Sequence, residues 1–272
     1  MNIAKNCMER EMGNTWLYDI EENLTGEENM RRDGMMAEAC SVDSIPRLRF
    51  YSWSPWTLSL GFNQKDERID CEALQTRGYG LVRRPTGGRA VFHAEEITYG
   101  VAMPGGDRGI HATYAKISEA LNYGFSLLGA SGIEFSRTSP DFREHYRDLD
   151  SEGCFSASAL NELTWNGKKL VGSAQRRYGS TLLQHGSILL GPAHLDIVDF
   201  LGIPAERRER MRTSLAAKTA TLSEILPSPL PPFATIASAL LEGFVRVFNI
   251  PELRRDEKYL VTPTVSDVEV TA

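Results

Sequence analysis

Cysteine is scarce and scattered: Cys7, Cys40, Cys71 and Cys154 are the only four in 272 residues, and no two form a C-x-x-C pair. That spacing excludes the usual zinc modules, and no histidine pair has ligand spacing either, so no metal is expected. Long basic runs are also missing. With 30 Lys and Arg against 36 Asp and Glu, the net charge is −6, and nonspecific nucleic-acid binding, which needs many cations on one face, is not expected. No apolar run of about seven residues occurs between Met1 and Thr25, so neither a signal peptide nor a membrane anchor is expected there. A cytoplasmic location, no membrane partner and no disulfides follow as expectations. Internal repeats and a Pro/Gly/Ser-rich linker are lacking too, which favours one domain. There is no G-x-x-x-x-G-K-[ST] and no G-x-G-x-x-G after a strand, which excludes a P-loop or dinucleotide fingerprint without excluding ATP. His93-Ala94-Glu95 has half of a zinc-deaminase signature, but the P-C-x-x-C half is absent.

What is present suits a sizeable core: 42% of the residues are hydrophobic. Periodicity predicts a helix over Glu27–Cys40 and strands over Leu48–Trp53 and Thr57–Gly61, with Ser54-Pro55-Trp56 as the turn between them. A short helix follows over Asp70–Arg77. An amphipathic helix opens at Thr113 with Tyr114, Ile117, Leu121, Phe125 and Leu128 on one face, and Ile133–Phe135 resumes as a strand. Ser139–Glu152 is charged and aperiodic, an exposed loop by its pattern. Asn166-Gly167 gives a type I′ hairpin signal, with Lys169 starting a strand beside a returning strand over Thr181–Leu190. Helical patterns then cover His194–Leu201, Pro204–Arg212, Leu222–Leu226 and Pro232–Phe248, the last with a 3.6-residue apolar repeat. The expected class is α/β (α+β), a single domain with a central mixed, largely antiparallel sheet flanked by helices. Residues 1–25 read as an N-terminal segment, 26–250 as the domain, and 251–272 as a charged, frayed tail.

The stretch Arg83-Arg84-Pro85-Thr86-Gly87-Gly88-Arg89-Ala90-Val91-Phe92-His93 combines paired glycines with closely spaced arginines between strand-like segments. Paired glycines permit a tight turn and close backbone approach, and guanidinium groups supply fixed charge and planar donors. The pattern reads as a ligand cradle in a strand-to-strand connection. Tyr51, Trp53 and Trp56 form an aromatic cluster nearby that reads as core, with an acyl tunnel as the alternative.

Thr86-Gly87-Gly88-Arg89-Ala90-Val91-x-His93, followed by Glu96-x-Thr98-Tyr99, resembles the hallmark loop of the biotin and lipoate protein ligase superfamily. A second block, Gly167-Lys168-Lys169-Leu170-Val171-Gly172-Ser173-Ala174-Gln175-x-Arg177 and then Leu183-Gln184-His185-Gly186-Ser187, resembles the same superfamily. Arg89 after the second glycine is most similar to the cysteine-dependent octanoyltransferases. Asn29, Met30 and Asp33 also match a family helix pattern, with Gly34 where Glu is usual. The resemblance implies a ligase-like fold, octanoyl-acyl carrier protein as donor, a lipoyl domain or glycine-cleavage H protein as acceptor, and no cofactor. An ATP-dependent lipoate-protein ligase is the alternative, using the same glycine loop and lysine. A noncatalytic acyl-binding homologue is a further one, against which the retention of both Cys154 and Lys169 argues.

Two-step acyl transfer from a thioester to an amine needs a thiolate that first accepts the acyl group. Gly153-Cys154-Phe155 resembles the family's nucleophile loop, which makes Cys154 the expected nucleophile. Lys169 is its expected cationic partner, as thiolate stabiliser, holder of the carbonyl oxygen or proton relay, with Lys168 a bystander. Asp148, Asp150 and Glu152 precede the cysteine and would oppose its ionisation if near. Expected substrate-binding residues are Arg84, Thr86, Gly87, Gly88, Arg89, His93, Gly172, Ser173, Ala174, His185 and Gly186. His93 and His185 could each serve as a base or, bonded to backbone, shape the pocket. Arg176 and Arg177, or Arg207, Arg208, Arg210 and Arg212, could guide acidic carrier proteins or form a solvated face.

Overall fold

Period-two alternation decides which side of the sheet each strand residue serves. In the computed structural model, which describes residues 15–105, 109–135 and 162–256, strand β6 (Glu96–Pro104) sends Ile97, Tyr99 and Val101 into the main core. Thr98 and Ala102 of β6 point to the opposite face, as do Arg49, Tyr51 and Trp53 of β2 (Arg47–Trp53), whose Leu48 and Phe50 join the core. Six strands form the main sheet in the order β10-β11-β6-β2-β1-β12. Its outer members are β1 (Thr15–Leu24), β10 (Val171–Tyr178), β11 (Thr181–Leu189) and β12 (Glu252–Arg255). The β10-β11, β11-β6 and β6-β2 pairs are antiparallel, and β1 pairs in parallel with both β2 and β12. The mixed, largely antiparallel sheet expected from the sequence is therefore present.

The apolar face is covered by α3 (Gly109–Leu127) and α6 (Phe233–Phe248). Ile117, Leu121 and Phe125 of α3 meet Ile236, Leu240 and Phe244 of α6 with almost no exposure. Each such side chain contributes roughly 1.5–3 kcal/mol by leaving water. On the polar face lies α1 (Gly26–Asp43), started by Thr25, whose hydroxyl accepts from the Glu28 amide at 3.3 Å. Its buried side includes Asn29, Asp33, Met36 and Cys40.

A second sheet, β4 (Gly80–Arg83), β3 (Thr57–Leu60) and β5 (Val91–His93), has β3 in the middle. The Arg84–Ala90 connection must therefore cross the end of β3 rather than turn as a simple hairpin. This sheet shares a core with α2 (Cys71–Thr76), a 3-10 segment (Pro192–Phe200) and α4 (Ala205–Lys218), through Leu58, Leu60, Leu74, Phe92, Phe200 and Met211. A short α5 (Leu222–Ile225) carries a capping box from Thr221 to Glu224. The third sheet joins β7 (Ile133–Phe135), β8 (Leu163–Trp165) and β9 (Lys168–Lys169). Asn166 at φ 50° and Gly167 at φ 75° supply the expected turn.

Three expectations change. Residues 15–24 are not a segment outside the domain but strand β1, second from the edge of the main sheet, because β12 flanks it. Residues 252–255 of the expected frayed tail are that flanking strand, and Asp256 is buried. Lys169 does not pair with the returning strand. It pairs with Thr164 in the third sheet, and the chain crosses to the main sheet at Leu170, so that β10 begins at Val171 opposite Ile188. Among the described residues no helix is long and apolar enough to cross a membrane.

Candidate active site

The polar face of the main sheet, α1, β5 and Arg84 border a cleft with about 330 Å³ of empty space, part of it open to solvent. Met30 of α1, Tyr51 and Trp53 of β2, and Val91 and His93 of β5 line one part. Gly172, Ser173 and Ala174 of β10, with His185, Gly186 and Ser187 of β11, line another. The register explains the second group, since Ser173 lies opposite Gly186 and Ala174 opposite His185. Gly186 has no room for a side chain: a Cβ would sit 2.7 Å from both Ser173 Oγ and Tyr99 Cε1, and 2.8 Å from the Gly172 carbonyl.

The glycine loop is stitched from inside by Arg84, which is 3% exposed. Its guanidinium donates to the carbonyls of Ser59 (3.1 Å), Gly87 (2.8 Å) and Arg89 (2.6 Å). Thr86 also faces inward. Its Oγ1 meets His185 Nε2 at 2.5 Å, while its carbonyl accepts from the Phe62 amide at 2.8 Å. With Arg84 and Thr86 turned in, Gly87 and Gly88 form an exposed crest with Gly88 at φ 96°. Gly87, Gly88 and Arg89 thus stand outside the cleft lining, where close approach to a ligand was expected. Arg84, His93, Gly172, Ser173, Ala174, His185 and Gly186 are brought together, and Thr86 reaches the cleft through His185.

Both histidines are held by carboxylates rather than by the backbone. His185 Nδ1 lies 2.8 Å from Asp33 Oδ2, and an ionised carboxylate can only accept, so the proton sits on Nδ1. Asp33 is fully buried and also accepts from Arg49 Nη1 at 2.7 Å and the Tyr51 hydroxyl at 2.8 Å. Burial alone would raise its pKa, but the His185 and Tyr51 hydrogen bonds and the Arg49 charge outweigh that and hold it below the usual carboxylate value. Burial, reinforced by the Asp33 charge, pushes the Tyr51 phenol well up. His93 Nδ1 meets Glu96 Oε1 at 2.8 Å and its Nε2 meets Ser59 Oγ at 2.7 Å, with Trp53 stacked on the ring at 4.0 Å. Glu96 Oε1 accepts as well from Thr98 at 2.5 Å and Ser187 at 3.1 Å. Tyr51 and Trp53 therefore line the cleft, whereas Trp56 packs on Tyr79 and Phe92.

Lys169 is nearly buried and its Nζ donates to Glu162 Oε1 at 2.6 Å. It is not part of the cleft lining but stands three residues before Gly172 on the same path. Lys168 lies 3.9 Å from Glu224 at the surface. Cys154 and the loop around it lie outside the described residues. Arg176 and Arg177 serve as braces. Arg176 donates to the Pro85 carbonyl at 2.7 Å with its guanidinium 3.9 Å over Phe62, and Arg177 donates to the Gly105 carbonyl at 3.2 Å. On α4, Arg212 pairs with Asp196 and Asp199, and Arg208 donates to the Ile203 carbonyl.

Asp33, Glu96 and Glu162 are the site residues that motif reading missed as partners. Asp33 was visible in the Asn29-Met30-Asp33 pattern, which the structure explains. Asn29 donates to the Ser52 carbonyl, Met30 lines the cleft and Asp33 holds His185.

The lipoyl protein ligase A/B catalytic domain matches residues 25–245. The chain belongs to this family. Octanoyltransferase LipM of Kyrpidia tusciae is 40% identical over 228 residues, covering 81% of this chain and 82% of its own. LipM of Brevibacillus brevis is 38% identical over 222 residues, covering 79% and 80%. The expected ligase-like fold is borne out as well. A bi-partite lipoate protein ligase of Thermoplasma acidophilum, from a structural analysis that includes its E2 lipoyl domain, superposes with a TM-score of 0.71 at 21% identity, covering 89% of this chain and 86% of that one. A lipoate-protein ligase A bound with ATP superposes at 0.67 with 20% identity, covering 90% and 88%. In this chain Asp33, His185 and Thr86 join α1, the main sheet and the glycine loop into one frame.

Proposed function

We propose that the protein transfers an octanoyl group from octanoyl-acyl carrier protein to a lysine of a lipoyl domain or of glycine-cleavage H protein, through a thioester on Cys154. The Cys154 thiolate attacks the carrier thioester carbonyl, the carrier thiolate leaves with the bonding pair, and that sulfur takes up a proton. The acceptor amine then attacks the acyl-Cys154 carbonyl, releases a proton that balances the one taken up by the carrier sulfur, and expels the Cys154 thiolate, which begins the next cycle. Lys169 supplies a fixed ammonium for charge that develops at sulfur or at the carbonyl oxygen. The cleft beside His93, His185 and Gly172–Ala174 receives the acyl chain against Met30, Tyr51, Trp53 and Val91.

The observation that carries this reading is the combination of Gly153-Cys154-Phe155 with relatives that are octanoyltransferases at 38–41% identity over three quarters or more of the chain. The test is intact-mass spectrometry after mixing the protein with octanoyl-acyl carrier protein without ATP, beside Cys154→Ala. An octanoyl adduct on the wild type, absent from the variant and chased onto a lipoyl domain, supports it. Lipoyl-domain modification only with ATP and free acid would replace it by a ligase.

A further inference from the structure

We infer that Glu162 is a positioning residue for Lys169, setting where the ammonium stands during acyl transfer; this rests on the role proposed for Lys169 above. The two side chains meet at 2.6 Å with 3% and 6% exposure. The backbone of Lys169 is already fixed. Its backbone pairs with Thr164 across the hairpin and bridges Thr219 on the other side, and its carbonyl accepts from the Ala220 amide at 2.9 Å. A lysine stem has large rotamer freedom, and the ammonium at its end is anchored by the Glu162 carboxylate. That contact restrains where the charged end can stand.

The placement of Glu162 follows from the same hairpin. It stands one residue before β8, and the Leu170 amide donates to the Leu163 carbonyl at 3.0 Å, which closes the ladder beside both charges. Stability alone is a weak reason for the pair, because desolvating two charges commonly costs as much as their attraction returns, and apolar replacements of such pairs are often neutral or stabilising. Geometry does account for it, since displacing a catalytic group by about 1 Å can cost about 100-fold in rate. His93 and His185 are engaged at both ring nitrogens, so neither can take over the placing of a cation.

The test follows single-turnover octanoylation of the enzyme from octanoyl-acyl carrier protein, then transfer to a lipoyl domain, for wild type, Glu162→Gln, Glu162→Asp, Lys169→Met and the Glu162→Gln/Lys169→Met double variant. Thermal unfolding accompanies each. Glu162→Gln is expected to lower the melting temperature, because it leaves a buried ammonium without its carboxylate, and, assayed well below that temperature where the variant is fully folded, to keep the carrier KM while the maximal rate drops about 10- to 100-fold. Glu162→Asp is expected to recover part of it, and Glu162→Gln is expected to cost nothing further in the Lys169→Met background. A Glu162→Gln rate within about twofold of wild type, a loss of equal size in the Lys169→Met background, or a loss that tracks unfolding would overturn the positioning role while leaving the acyl-Cys154 reading intact. A wild type that forms no adduct would overturn both.

Discussion

Replacing Gly186 by alanine tests the cleft and the packing behind it with one methyl group. That carbon would lie 2.7 Å from Ser173 Oγ and Tyr99 Cε1 and 2.8 Å from the Gly172 carbonyl oxygen. Ordinary van der Waals contact begins near 3.4 Å, so something must give by roughly 0.6–0.7 Å. Nothing nearby yields easily. Tyr99 is fully buried and its hydroxyl is tied to Ser173 Oγ at 2.7 Å and to Gln184 Nε2 at 2.7 Å, while the Gly172 carbonyl belongs to β10 in the sheet. Overpacking of this kind costs about 1–3 kcal/mol, a melting temperature lower by about 3–9 °C in a chain of this size. Because Ser173 and Gly186 line the cleft, acyl-enzyme formation should slow as well. Gly87→Ala is the matched control, since a Cβ there would meet nothing within 4 Å, and its stability should stay within about 0.5 kcal/mol of wild type. Urea unfolding of the three proteins decides. Equal stabilities for Gly186→Ala and wild type, or equal losses for the two variants, would refute the reasoning.

Asp33→Asn removes the charge that Arg49, Tyr51 and His185 share and is expected to cost about 3–5 kcal/mol in urea unfolding at neutral pH. Because the folded Asp33 pKa is lowered, its stabilisation is present above the unfolded carboxylate value and disappears as pH falls through the folded one, so the difference between wild type and variant should shrink toward strongly acid pH. Tyr99→Phe should cost about 1–3 kcal/mol at pH 7 by leaving Gln184 and Ser173 without their shared partner. Burial pushes the Tyr99 phenol up to about 12; the folded state therefore keeps a proton that the unfolded chain sheds near pH 10, wild-type stability falls from there upward, and the gap to the variant should narrow by about 2 kcal/mol near pH 12. A gap that stays constant between pH 7 and 11 would contradict the sign.

The strands and helices with clear periodicity were legible in the sequence, from the α6 apolar stripe to the Asn166-Gly167 turn. β1 and β12 were not, because their charges read as surface. Asp19 in β1 is 1% exposed and lies 3.7 Å from Arg255 in β12, Thr15 donates to Glu252 at 2.6 Å, and Glu21 pairs with Arg49 at 3.1 Å. Such charges are neutralised by partners far along the chain, and no local pattern announces that. The same holds within the site. Glycine and histidine motifs marked the right segments, but the carboxylate that orders His185 stands 152 residues away from it. The inward turn of Arg84 and Thr86, which moved Gly87 and Gly88 to an exposed crest, depends on β3 lying between β4 and β5. Spacing along one strand connection does not contain that fact.

The polar network also narrows which groups are left to do chemistry. A general base must offer a lone pair within reach of the proton it takes. His185 donates Nδ1–H to Asp33 and its Nε2 lone pair accepts from the Thr86 hydroxyl, while His93 meets Glu96 through Nδ1 and Ser59 through Nε2. The two rings are built alike, each set between a carboxylate and a hydroxyl, and each hydroxyl is fully buried. Such an arrangement fixes tautomer and orientation and thereby ties the hallmark loop to α1 on one side and β5 to β6 on the other. In this arrangement both histidines hold the frame together. Under the mechanism proposed above, the charge that changes during acyl transfer is that of the Cys154 sulfur and the reacting carbonyl, met by the Lys169 ammonium that Glu162 holds.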